Sequence, residues 1–219
     1  MFAWPAKTRV DRTVPKSKIL ENARVSSRLR SSLTNEVREI RWIAKLAPET
    51  VKLSATPEVS EIAVFQVSLK TEAFNLDLLD LFDKVIAPPI LFSLKRPDGS
   101  IAHSAAYKRP HETRDQQWIT GPRFTTSFRP QPSSVPPLPA AIDLARLYAA
   151  ILAPLLPLSS RTGELLSAHV ARCETFLHLR RQIAQLTAKM HREKQFNRKV
   201  ALNQQLQPLK SHLHELSSA

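Results

Sequence analysis

A chain of 219 residues, 42% of them hydrophobic, is long enough to bury a core without disulfide or metal staples. Seventeen prolines against three glycines exclude glycine-rich cradles for phosphates or dinucleotides and predict ordered elements parted by stiff connections. A formal net charge of +13, from 32 Lys and Arg against 19 Asp and Glu, makes a polyanion the default partner.

The excess is uneven. Residues 1–52 carry twelve basic and five acidic side chains, residues 160–219 ten and four, and the middle ten and ten. The ends are therefore expected to meet the anion and the middle to build the fold. A single cysteine, Cys173, excludes an internal disulfide, and no CxxC pair or His/Cys cluster has metal-ligand spacing, so no cofactor is expected. The most apolar stretch, 142–158, is interrupted by Pro154 and Pro157, and the first ten residues lack an apolar signal core. A cytoplasmic protein without a membrane span is the expectation.

Along the chain, residues 1–16 are polar, basic and proline-punctuated, an extended arm. Over 17–33, Ile19, Leu20, Ala23, Leu29 and Leu33 approximate a helical stripe, with Ser17 as N-cap. Three strand-like runs follow at 37–43, 50–53 and 61–70; the third alternates most clearly and reads as a central strand covered on both faces. Residues 74–86 are an amphipathic helix ended by Pro88-Pro89. A short buried strand at 90–94, a turn at Pro97-Asp98-Gly99-Ser100 and a returning strand at 101–108 form a hairpin, and 118–128 adds one more strand. Five prolines within 130–139 mark a linker and the expected domain boundary.

A helix is predicted over 142–155, and from Thr162 the chain turns helical for most of its remaining length. Phe176, Leu179, Ile183, Leu186 and Met190 step by three and four, as a coiled-coil seam does; Leu202, Leu206, Leu209, Leu213 and Leu216 form a second seam, which Pro208 is expected to kink or shorten. Folding back as a hairpin and pairing with another chain as a homodimer both remain open. The fold class is thus α+β: a mixed-sheet domain over 17–129 with flanking helices in αβββαβ-like order, a linker at 130–140 and a helical hairpin or coiled coil over 141–219.

That element order is also the order of restriction-endonuclease-like nucleases, where an acid on one strand and an acid-x-Lys pair on the next hold a metal that activates water. Glu61 and Lys70 are the weak candidates here, since Ser68 stands where the acid preceding Lys70 would be and an active enzyme would have to recruit Glu49, Glu58 or Glu61 unconventionally. A divergent or degenerate metal-dependent nuclease is one alternative. Asp77, Asp80 and Asp83 recur every three residues and read as the solvated face of the helix at 74–86, with Leu78, Leu79, Phe82 and Val85 buried opposite. The seven histidines have no ligand spacing, and Cys173 sits among helical apolar positions as a small hydrophobe.

The basic interval 189–199 carries Lys189, Arg192, Lys194, Arg198 and Lys199 around one aromatic, Phe196, within about three helical turns, a pattern that straddles phosphates while the ring packs or stacks. Arg28 and Arg30 form a second basic set. A solvated helix with Phe196 in the hairpin core is the competing reading, and a scaffold that ignores nucleic acid is a further one.

Several stretches together carry a family resemblance: Pro15-Lys16; Ile40-Arg41-Trp42 with Lys45-Leu46 and Pro48-Glu49-Thr50; Glu61-Ile62 with Val64-Phe65 and Leu69-Lys70; Pro88 to Phe92; Tyr107-Lys108; and, most specific, Glu193 to Val200 with Leu202-Asn203. Across almost its whole length the chain resembles a bacterial family of unknown function, the domain numbered 4391. The resemblance implies genomic company with SNF2-type helicases, DNA methyltransferases and restriction-modification systems, hence a part in defence against foreign DNA, with DNA and a helicase or methyltransferase as partners. It transfers no catalytic residues. A non-enzymatic accessory protein of such a system is the leading expectation.

Overall fold

In the computed structural model, which describes residues 1–21, 25–111, 113 and 117–218, the alternating runs form six strands: β1 (Arg9–Thr13), β2 (Val37–Leu46), β3 (Ile62–Leu69), β4 (Ile90–Lys95), β5 (Ile101–Pro110) and β6 (Trp118–Thr125). They make one sheet in sequence order, β1-β2-β3-β4-β5-β6. Every neighbouring pair is antiparallel except β3 and β4, which run parallel. A parallel pair needs a crossover, and helix α4 (Asp77–Val85) supplies it. The helix begins where Asn75 Oδ1 accepts from Asp77 N, and the chain returns to extended backbone at Ile86 before Pro88-Pro89.

Period-two alternation divides β3 between two faces. Ala63, Phe65, Val67 and Leu69 enter a core with Leu78, Leu79, Leu81 and Phe82 of α4 and with Ile90, Phe92 and Leu94 of β4. Phe65 sits among Trp42, Phe82 and Phe92 at ring separations of 6.1, 6.0 and 6.3 Å. The β4–β5 turn follows its expected chemistry: Gly99 takes φ 85°, a left-handed value suited to glycine, and Asp98 Oδ1 accepts from Ser100 N.

Four local expectations change. The arm is not simply extended, since Arg9–Thr13 pairs with β2 as an edge strand and Arg41 donates to Asp11 Oδ1. The single helix over 17–33 is two, α1 (Lys16–Glu21) and α2 (Ser27–Glu36), the second capped by Ser26, whose hydroxyl accepts from Leu29 N; Ser17 lies inside α1, and Ala23 lies outside the described residues. The strand expected at 50–53 is instead occupied by α3 (Pro48–Val51). Pro48 starts this turn at a position that needs no N–H, Thr50 Oγ1 accepts from Ala47 N, and Lys52 ends it at φ 60°, so local capping overrides the β-preference of Thr and Val. The proline-rich segment docks on the sheet-bearing unit: Ala3 N donates to Pro136 O at 2.7 Å.

Two compact units divide at Leu155/Leu156 rather than within that segment. The first ends with α5 (Leu144–Leu152), capped by Asp143, whose carboxylate accepts from Arg146 N at 2.7 Å, and the Tyr148 hydroxyl donates to Ala106 O and accepts from Lys108 N. In the second, α6 (Leu166–Arg192) and α7 (Phe196–Ser217) pack together as a hairpin within one chain. All ten seam residues are buried or half-buried. Helix α7 runs through Pro208 without shortening, although proline cannot donate the bond that the Gln204 carbonyl would otherwise accept. At the open end of the hairpin, Arg172 grips Glu164 with two nitrogens at 2.8 and 2.7 Å and donates to Leu216 O. Arg161 donates to Glu215 O and Ser218 O, so two guanidinium groups satisfy carbonyls that α7 leaves open at its C-terminus. Among the described residues no helix is long and apolar enough to cross a membrane.

Candidate nucleic-acid interface

The closed end of the hairpin is a three-residue connection, 193–195, between α6 and α7. Its one acidic side chain is engaged in making the turn: Glu193 Oε1 accepts from Gln195 N at 3.0 Å and Lys194 N at 2.8 Å, and these amides, the Gln195 amide first, hold the carboxyl below its usual range. Arg198 stands 3.9 Å from the other carboxylate oxygen. Lys189, Arg192, Lys194, Arg198 and Lys199 are all exposed, and among the described residues none but Arg198 has a carboxylate within ion-pair distance. A hollow of about 640 Å³ lies at this tip, lined by Lys189, Arg192 and Lys194 among others.

Phe196 is 77% exposed, so it is not part of the hairpin core, as the competing reading of this interval required. A large apolar ring held in water at the first position of a helix, between cations, can lie on a nucleobase while the cations meet phosphates. Arg28 and Arg30 are exposed on α2 in the first unit.

Glu61 and Lys70 do not come together. They flank β3 at opposite ends, nine residues apart along extended chain, or roughly 30 Å. Glu61 pairs with Lys45 at 2.8 Å, and Lys70 Nζ donates to Thr34 O at 2.7 Å. With the second run helical rather than extended, the strand geometry that would place an acid beside them is missing too. Among the described residues no group of three or more His, Cys, Asp or Glu could hold a metal ion.

The aspartate stripe of α4 also reads differently in three dimensions. Asp83 is buried, not solvated, and meets Lys108 and Arg123; Arg123 also reaches Asp80 at 2.8 Å. Lys108 Nζ further donates to the carbonyls of Asp83 and Ile86, closing the C-terminal end of α4. Burial pushes the Asp83 carboxyl up and the Lys108 ammonium down, each opposed by its partners. Two acids meet two bases, which fits a clamp between α4 and the sheet rather than a reaction centre. One sequence signal pointed inward: Lys108 is in period-two phase with Ala102, Ser104 and Ala106, all buried.

The sequence profile of the family described as Domain of unknown function (DUF4391) matches residues 2–213, so the chain belongs to this family. Neither a curated protein nor a solved structure matches it significantly.

Proposed function

We propose that the protein binds the phosphate backbone of nucleic acid through the tip of the α6–α7 hairpin and acts there as a non-enzymatic accessory factor. The observation that carries this reading is the exposed Phe196 set among Lys189, Arg192, Lys194, Arg198 and Lys199, with the local carboxylate of Glu193 occupied by backbone amides. Seams that pack against each other within the hairpin favour this over a scaffold that uses them to bind a second chain. The genomic company implied by the family resemblance favours DNA as the nucleic acid and a helicase or DNA methyltransferase as the protein partner, in defence against foreign DNA.

The test is titration of the full chain against labelled duplex and single-stranded DNA at two salt concentrations. About four phosphate contacts predict an affinity loss of roughly a hundredfold between about 50 and 200 mM salt. Reversing Arg192, Lys194, Arg198 and Lys199 to Glu should abolish binding with the fold intact. No binding at the lower salt, or binding indifferent to the four reversals, would overturn the assignment.

A further inference from the structure

The face of the sheet opposite α4 carries a cleft of about 780 Å³ in the first unit. Its floor is crossed by a row of polar side chains in register: Gln66 on β3 is the Cα partner of Ser93 on β4, and Ser93 is the partner of His103 on β5. Next to the row, Val64 is likewise in register with Leu91, so the polar line crosses an otherwise apolar surface. Thr126 extends it, its Oγ1 accepting from His103 N and its own N donating to His103 O, each at 2.9 Å. Phe2 and Trp4, ring centroids 6.5 Å apart, contribute to one wall, and Arg129 also lines the cleft.

The row holds one buried atom without a partner. Among the described residues the half-buried side chains of Gln66 and Ser93 make no hydrogen bond to protein and open to water in the cleft, while His103 Nδ1 is sealed from solvent without a partner. Polar groups sealed from water are ordinarily matched, because leaving them unmatched costs free energy, and His103 Nδ1 departs from that rule. Burial pushes the His103 pKa down to about 4, so the imidazole is neutral near pH 7. Leaving a lone pair unpaired is less costly than leaving an N–H unpaired, which puts the proton on Nε2 as a donor. The cleft floor thus offers an amide, a hydroxyl and a neutral imidazole, all uncharged. Strands lie about 4.8 Å apart, so the row spans roughly 10 Å, the scale of a heteroaromatic ring and its sugar.

We infer that this cleft binds a single nucleotide, its base edge on Gln66, Ser93 and His103, its ring against Trp4 and Phe2, and its phosphate at Arg129. A fatty acid could place its carboxylate at Arg129 but would lay its chain across the polar row and strip water from it. A nucleotide matches a neutral hydrogen-bonding floor, an aromatic wall and the Arg129 cation together. The same chemistry comes as a free mononucleotide or as one unstacked residue of a strand. The inference does not depend on the hairpin reading, since no residue of the second unit takes part.

The full chain is titrated with the common ribonucleoside and deoxyribonucleoside monophosphates, with ribose 5-phosphate, and with a short single-stranded oligonucleotide, by calorimetry and Trp fluorescence. At least one mononucleotide or the oligonucleotide should bind, while ribose 5-phosphate binds at least tenfold more weakly. The pair Gln66→Leu and Ser93→Val should weaken that binding tenfold or more without lowering the melting temperature, because neither side chain bonds to protein and each is replaced by an apolar one of similar size. Trp4→Phe should remove the fluorescence change, since Trp4 is the indole placed against the base. Binding by the oligonucleotide alone, still lost in the floor variant, identifies a strand as the source. No binding at millimolar concentration in any arm, equal binding of ribose 5-phosphate, or indifference to the floor substitutions would overturn the proposal.

Discussion

The Lys108 ammonium lies 3.6 Å from the Asp83 carboxylate, and both side chains are sealed from solvent. Removing one partner of such a pair costs about 3–5 kcal/mol where the other charge is left alone; Arg123 still meets Asp83 here, so the lower end applies. Lys108→Met should therefore destabilise the first unit by about that much, and the added Asp83→Leu should recover part of the loss, since Arg123 keeps Asp80. Urea unfolding followed by tryptophan fluorescence reads both; an unchanged midpoint for Lys108→Met would contradict the clamp.

Glu164 couples the helical unit to pH. Hydrogen bonds from Arg172 bring its carboxyl down to about 2 from an ordinary 4.5. A depressed carboxylate pKa contributes stability in full above the unfolded value, and the contribution disappears as pH falls through the folded one. The urea midpoint of the helical signal should thus decline between about pH 4.5 and 2, and Glu164→Gln should flatten that decline while lowering the midpoint at pH 7. A slope identical in the variant would remove this pair from the acid response.

Phe196 should separate binding from folding. Base–aromatic stacking is worth about 1–3 kcal/mol per base, so Phe196→Ala is expected to weaken single-stranded DNA binding by that amount and leave the melting temperature in place, the ring being 77% exposed. Anisotropy and thermal melting together decide it. Unchanged affinity would leave the cations as the whole interface.

Cys173 is fully buried, and burial raises its thiol pKa. A thiol so placed reacts slowly. Native protein should resist a thiol reagent that labels it completely in urea, and rapid native labelling would mean that this part of α6 opens.

Much of the sheet was readable because its strands obey a local rule. β3, β4 and β5 alternate or run apolar, Pro88-Pro89 and Pro97-Asp98-Gly99-Ser100 punctuate them, and the two leucine-rich seams keep their spacing over many turns. What escaped reading depends on distant or competing partners. β1 is an edge strand exposed at four of its five positions, so it lacks the pattern that reveals a strand. At 50–53, a proline and a threonine cap outweigh strand propensity. Asp83 looks like its solvated neighbours on α4 until Lys108 and Arg123 approach from β5 and β6, and no local window contains all three. The basic hairpin tip, by contrast, is contiguous in sequence, and its charges could be read directly. The cleft has the opposite character, since its wall and floor are drawn from segments scattered across the first unit.

The bond between Ala3 and Pro136 sets an order in time. On a ribosome adding about 5–20 residues per second, the carbonyl that fixes Ala3 is made roughly 7–27 s after the amide it accepts from. Phe2 and Trp4 therefore emerge as an unanchored aromatic pair while most of the sheet is still to be synthesised, and the wall they contribute to is among the later parts of the first unit to close.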